Sequence, residues 1–143
     1  MGRKGAVAGA AVFAALAVLA GQGCASGHAC PAVAWADTLT VEADGDTDRV
    51  DLLELCFAGH CMFDEDLPSD SPLSHLPYER VDENTWQFDF FADPPDEIEV
   101  RVLDADDHLL AESNQPLEWV VSNYPHGEEC GGPGTAEVRI AVE

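Results

Sequence analysis

Between Asn84 and Leu103 apolar and polar residues alternate strictly. Trp86, Phe88 and Phe90 interleave with Thr85, Gln87 and Asp89; beyond Asp93-Pro94-Pro95-Asp96, Ile98, Val100 and Val102 interleave with Glu97, Glu99 and Arg101. A period of two sends successive side chains to opposite faces, as a half-buried strand requires. The pattern predicts two strands, with the proline break between them reading as the turn of a central hairpin.

The rest of the chain extends this picture. Thr38–Ala43 alternates, then Asp44-Gly45-Asp46-Thr47-Asp48 supplies turn chemistry. Val50–Phe57 is strand-like but apolar on both parities, so either both its faces are covered or a bulge swaps them near Leu52-Leu53. Asp64–Pro77, with three prolines and three serines, predicts an exposed loop. A hairpin from Ile98 to Ser113 turns at Asp104–His108, with a short strand at Leu109–Glu112 and a break at Ser113–Pro116. Leu117, Trp119 and Val121 mark another strand, Tyr124–Gly134 a constrained loop, and Thr135–Val142 a last strand with Ala136, Val138, Ile140 and Val142 inward. About seven or eight short strands with turn signals between them, and no helical period, predict an all-β antiparallel sandwich. An immunoglobulin-like topology is the first expectation, with a transthyretin-like sandwich or small barrel behind it.

Cysteines sharpen the second strand. In Cys56-Phe57-Ala58-Gly59-His60-Cys61, a two-residue turn at Ala58-Gly59 sets Cys56 opposite Cys61, with Cα atoms about 4.5 Å apart and within disulfide reach. A metal site using His60 and a thiolate is the alternative, though the spacing is not that of zinc sites. Four cysteines allow three pairings; Cys56–Cys61 leaves Cys30–Cys130.

The fifth cysteine belongs to the N-terminus. Arg3-Lys4 precedes an uncharged, mostly Ala and Gly run, too short in its apolar part for a membrane span of about 20 residues. This predicts a secretory signal peptide over residues 1–23. Ala20-Gly21-Gln22-Gly23-Cys24 has the form of a permissive lipobox, which predicts lipidation at Cys24 and accounts for the odd cysteine count. Cleavage after Ala34-Trp35-Ala36, releasing a soluble secreted protein, is the competing expectation. The organisation is then signal peptide 1–23, tether 24–36 and one domain over 37–143, on the outer face of the cell membrane.

Charge removes whole classes of partner. The chain has 6 Lys and Arg against 28 Asp and Glu, and loss of Arg3 and Lys4 leaves four bases. Such a surface repels nucleic acid and anionic lipid headgroups. Cation binding is the sharper possibility. Yet Arg49 stands where a calcium loop starting at Asp44 needs Gly, and Leu55 where it needs Glu. Weak candidates remain at Asp104, Asp106 and Asp107, at Asp64–Asp66, and at His126, Glu128 and Glu129. No nucleophile elbow, zinc-protease motif, phosphate loop or C-x-x-C is present, and no cofactor is implied. The expectation is a non-enzymatic module binding an extracellular protein, peptide or glycan, with a divalent-cation-binding domain as the alternative.

From Cys24 onward the chain resembles small exported lipoproteins of actinobacteria that have no assigned activity. The resemblance rests on "CPAVAWADTLTVE", on "LELC" followed by Cys61, on "VRVLDADDHLL" and on "CGGPGTAEVRIAV". The text around Ile98–Ser113 is also similar to repeats in carboxypeptidase-regulatory and other transthyretin-like domains. The resemblance implies a lipid-anchored β domain outside the membrane and transfers no catalytic residue.

Overall fold

A computed structural model describes residues 27, 29–91 and 93–143. The signal peptide expected over residues 1–23 and the lipidation site Cys24 lie outside the described residues. The described chain forms nine strands: β1 (Asp37–Gly45), β2 (Leu52–Phe57), β3 (His60–Cys61), β4 (Tyr78–Arg80), β5 (Thr85–Phe90), β6 (Glu97–Leu103), β7 (Leu109–Pro116), β8 (Val120–Val121) and β9 (Gly134–Val142). One sheet runs β4-β5-β1-β9-β8 and the other β3-β2-β6-β7. The β-sandwich expected from the alternation is therefore the fold.

All pairings are antiparallel but one. β1 lies parallel to β9, with Thr38 opposite Thr135 and Gly45 opposite Val142. β1 thus sits between β5 and β9, while β2 starts the second sheet. In the immunoglobulin order the first two strands share a sheet; here they do not.

The aromatic stripe is core, as its alternation predicts: Trp86, Phe88 and Phe90 are almost wholly buried against Ile98, Val100 and Val102. The two strands are not a hairpin, however. β5 belongs to one sheet and β6 to the other. Consecutive prolines lack N–H donors and hold φ near −65°, which suits a chain crossing between sheets better than a tight turn. Both patterns look alike in sequence because facing sheets point their apolar faces at each other.

Several boundaries also shift. β2 has both faces covered, with Leu53 and Leu55 in the core and Glu54 and Cys56 buried on the other side. β7 runs on through Ser113–Pro116 because β6 offers ladder partners as far as Glu97. A register shift between Val102 and Leu103 leaves Leu110 as the extra residue of a bulge. The segment 64–77 is irregular, as expected, but not simply exposed. Leu73 and Leu76 are buried in the main core, pinning the loop across the sandwich edge.

Two disulfides close the fold. Cys56–Cys61 spans the predicted turn, Cα atoms 3.9 Å apart, with Ala58 and Gly59 both at positive φ. Cys30–Cys130, Cα atoms 5.3 Å apart, joins the entering chain to the loop before β9. Such bridges mark an oxidising, extracytoplasmic environment. No helix among the described residues is long and apolar enough to cross a membrane.

Candidate binding surface

Strand register sorts the loops into two ends. At the proximal end, where the chain enters, β1 starts beside the end of β5 and the start of β9. The Phe57–His60 turn, the 62–77 loop, the Phe91–Asp96 crossover and the 117–133 loop gather there. Trp119 Nε1–H donates to the Pro95 carbonyl at 2.9 Å, tying the β7–β8 connection to the crossover, and the Leu117 N–H donates to the Asp96 carbonyl at 2.8 Å, adding a rung to the β6–β7 pairing. Gly132 makes the stapled loop possible, since a Cβ there would lie 1.9 Å from the Asn123 carbonyl oxygen. The distal end holds the turns at 45–51, 81–84 and 104–108.

Two grooves open at the proximal end. The larger, of about 900 Å³, crosses the outer face of the β3-β2-β6-β7 sheet, between the Cys56–Cys61 hairpin and the proline crossover. The second, of about 630 Å³, lies between the crossover and the 69–77 loop. They share Phe57, Asp93 and Pro95, so they form one bent surface. A smaller hollow of about 210 Å³ adjoins them at Phe57 and Pro72 and reaches His60.

Arg101 stands in the wall of the larger groove. Its guanidinium lies 3.5 Å from Glu54, 3.1 Å from Glu112 and 4.0 Å from Glu99, and Nη1 is 3.6 Å from Cys61 Sγ. Nε faces Glu112 without hydrogen-bond alignment. Burial raises the Glu54 carboxyl above its ordinary value, and the positive charge of Arg101 only partly offsets this. Sequence reading missed this cluster because it depends on cross-strand register. The outward parity of Glu54, Arg101 and Glu112 was its one visible sign.

The fold engages some of the remaining acids at both ends: at the proximal one Asp37 Oδ1 accepts from the Gly134 N–H, Asp64 Oδ2 from the Cys61 N–H at 2.7 Å and Asp89 Oδ1 from the Thr38 hydroxyl at 2.8 Å. At the distal end Asp104 Oδ1 accepts from the backbone N–H groups of Asp106 and His108, both at 2.9 Å. These bonds, that to His108 foremost, hold its carboxyl below the usual range. Asp82 closes its own turn on the Asn84 N–H in the same way and is likewise lowered. At the proximal end Asp70, Asp93, Asp96 and Glu97 line the grooves, and among the described residues no hydrogen bond or ion pair engages their carboxylates.

The metal candidates fare unevenly. Asp104 and Asp106 converge with His108, their donor atoms within 4.8 Å of one another; Asp107, at φ 60° in the turn, is not in that set. Asp64 and Asp66 converge with His60 instead of with Cys56 or Cys61, whose sulfurs are joined to each other. His126 packs its ring on Trp35 at 5.9 Å, and Glu128 and Glu129 lie in a 3-10 turn. None of these three enters a donor set among the described residues. The failed calcium-loop spacing after Asp44 likewise yields no donor set there. No family model, curated protein or solved structure matches this chain.

Proposed function

We propose that this chain is an exported, non-enzymatic binding domain, held at the outer face of the cell membrane by lipid on Cys24 and engaging an envelope partner through its proximal grooves. The observation that carries the reading is the meeting of two grooves at Phe57, Asp93 and Pro95, between loops braced by core leucines and by the Trp119 bond to the crossover. A rigid sandwich presenting shaped loops is a common way to build a binding site. The pairing of Cys30, Cys56, Cys61 and Cys130 supports the anchor, because it leaves Cys24 as the odd cysteine.

A photo-crosslinking side chain placed at Phe91 should yield a discrete adduct in intact cells, and one at Leu109 should not. Equal, diffuse labelling from both positions would oppose the reading. Mass spectrometry of the native protein should show a diacylglyceryl group on an N-terminal Cys24; a chain beginning at Asp37 would remove the anchor.

A divalent-cation-binding domain is the second reading, favoured by the convergence of Asp104, Asp106 and His108. It is weakened because Asp104 Oδ1 already accepts two backbone N–H groups. Calorimetry at millimolar calcium should show little heat, and a tight, saturable site would favour this second reading.

A further inference from the structure

We infer that the proximal grooves take an extended cationic peptide segment, one that alternates Arg or Lys with apolar side chains. The inference rests on the binding-domain reading and names its partner class. The charge of the surface is one-sided. Asp93, Asp96, Glu97, Glu99 and Glu112 line the larger groove against Arg101 alone. Asp70, Asp89 and Asp93 line the second groove with no Lys or Arg.

The hydrogen-bonding chemistry points the same way. Ionised carboxylates only accept, and Pro94 and Pro95 have no N–H to donate. Side-chain donors are fewer, Asn114 in the larger groove and Ser69, Ser71, Ser74 and His75 in the second, so a donor-rich ligand is favoured. A guanidinium brings five in a planar fork, and the fold already seats one in this wall, where Arg101 lies among Glu54, Glu99 and Glu112.

A single metal ion does not fit. Among the described residues Asp70, Asp93, Asp96 and Glu97 form no donor set close enough to share an ion. Carboxylates spread along a bent groove match several cationic groups on a longer molecule. A bare polyamine does not fit either, because the second groove sets apolar Phe57, Pro72, Pro77 and Phe91 between its acids. Phe91 is 60% exposed at the second groove, beside Pro72, Pro77 and Pro95. Apolar side chains and the aliphatic stems of Arg and Lys can cover such a surface while their charged heads reach the acids. The two volumes fall within the range of sites that enclose a sizeable ligand, about 300–1,000 Å³. A second copy of this chain would bring its own acids to the groove and be repelled.

The test uses the domain with both disulfides intact and an eight-residue peptide of alternating Arg and Leu, with fluorescence anisotropy as readout. Its Glu–Leu counterpart and spermine serve as competitors. Binding of the Arg–Leu peptide should weaken at least tenfold in Asp93→Asn/Asp96→Asn and in Phe91→Ala. Both variants should melt like the parent, since these side chains are unengaged or exposed. Asp46→Asn/Asp48→Asn, which removes the same charge from the distal end, should leave the affinity within twofold. Equal loss in the distal variant would reduce the effect to net charge and overturn the inference. Spermine binding as tightly as the peptide, or no binding of the Arg–Leu peptide, would overturn it too. In those cases a crosslink at Phe91 would still stand for the binding-domain reading, with a partner of other chemistry.

Discussion

The two ends of the sandwich carry comparable acidity but set it in different surroundings. At the distal end Asp82 and Asp104 fold back on their own backbones and close short turns. The distal hollow between the 48–51 and 104–106 turns is small, about 360 Å³, and no aromatic residue lines it. At the proximal end, unengaged carboxylates stand beside Phe57, Phe91 and four prolines, around grooves of about 900 and 630 Å³. Acidity by itself therefore does not mark a site. What sets the proximal end apart is the apolar relief beside its acids.

The disulfides offer the largest break in this symmetry, because both lie at the proximal end. Cys30–Cys130 separates its partners by 100 residues and Cys56–Cys61 by 5. In the chain-entropy model these bridges stabilise by about 4.7 and about 2 kcal/mol respectively. Replacing the first pair by serine should therefore lower the melting temperature much more than replacing the second. Equal losses would mean that the entering chain adds little to the proximal framework.

Leu73 comes next. It roots the 62–77 loop in the core, and no distal turn has a counterpart as deeply buried. Leu73→Ala should cost about 2–5 kcal/mol in a denaturant titration. A near-zero cost would show that the loop floats over the core and that the second groove has no fixed wall.

The smallest effect probes the distal end. Asp104→Ala should lower the melting temperature at neutral pH by opening the 104–108 turn. Because the folded-state pKa of Asp104 is depressed, its contribution is present above the ordinary value of 3.8 and is lost as pH falls through the folded value. Melting curves of parent and variant should therefore converge in strong acid. A gap that persisted there would mean that the variant disturbs packing and not the charged turn.

How much of this was legible in the sequence follows from the range of each interaction. Alternation in 86–90, 98–102 and 136–142 is local, and it identified the inward residues correctly. The Cys56–Cys61 bridge was readable because a two-residue turn has one geometry. The parallel pairing of β1 with β9 joins opposite ends of the domain, and no local pattern encodes it. Leu73 and Leu76 lie among prolines and serines without periodicity, so their burial was hidden. The grooves were least visible of all, since Phe57, Asp93 and Glu112 meet only after the crossover places β5 and β6 in different sheets.

The contrast between the ends can be measured directly by hydroxyl-radical footprinting of the native protein in envelopes, against the purified domain. Phe63 and Phe91 at the proximal end and Val81 and Leu109 at the distal end are all substantially exposed, so each reports its own surroundings. Phe91 should be strongly protected in the envelope, with Val81 and Leu109 labelled as in the purified protein. Protection of Val81 and Leu109 with Phe91 still fully labelled would contradict the contrast.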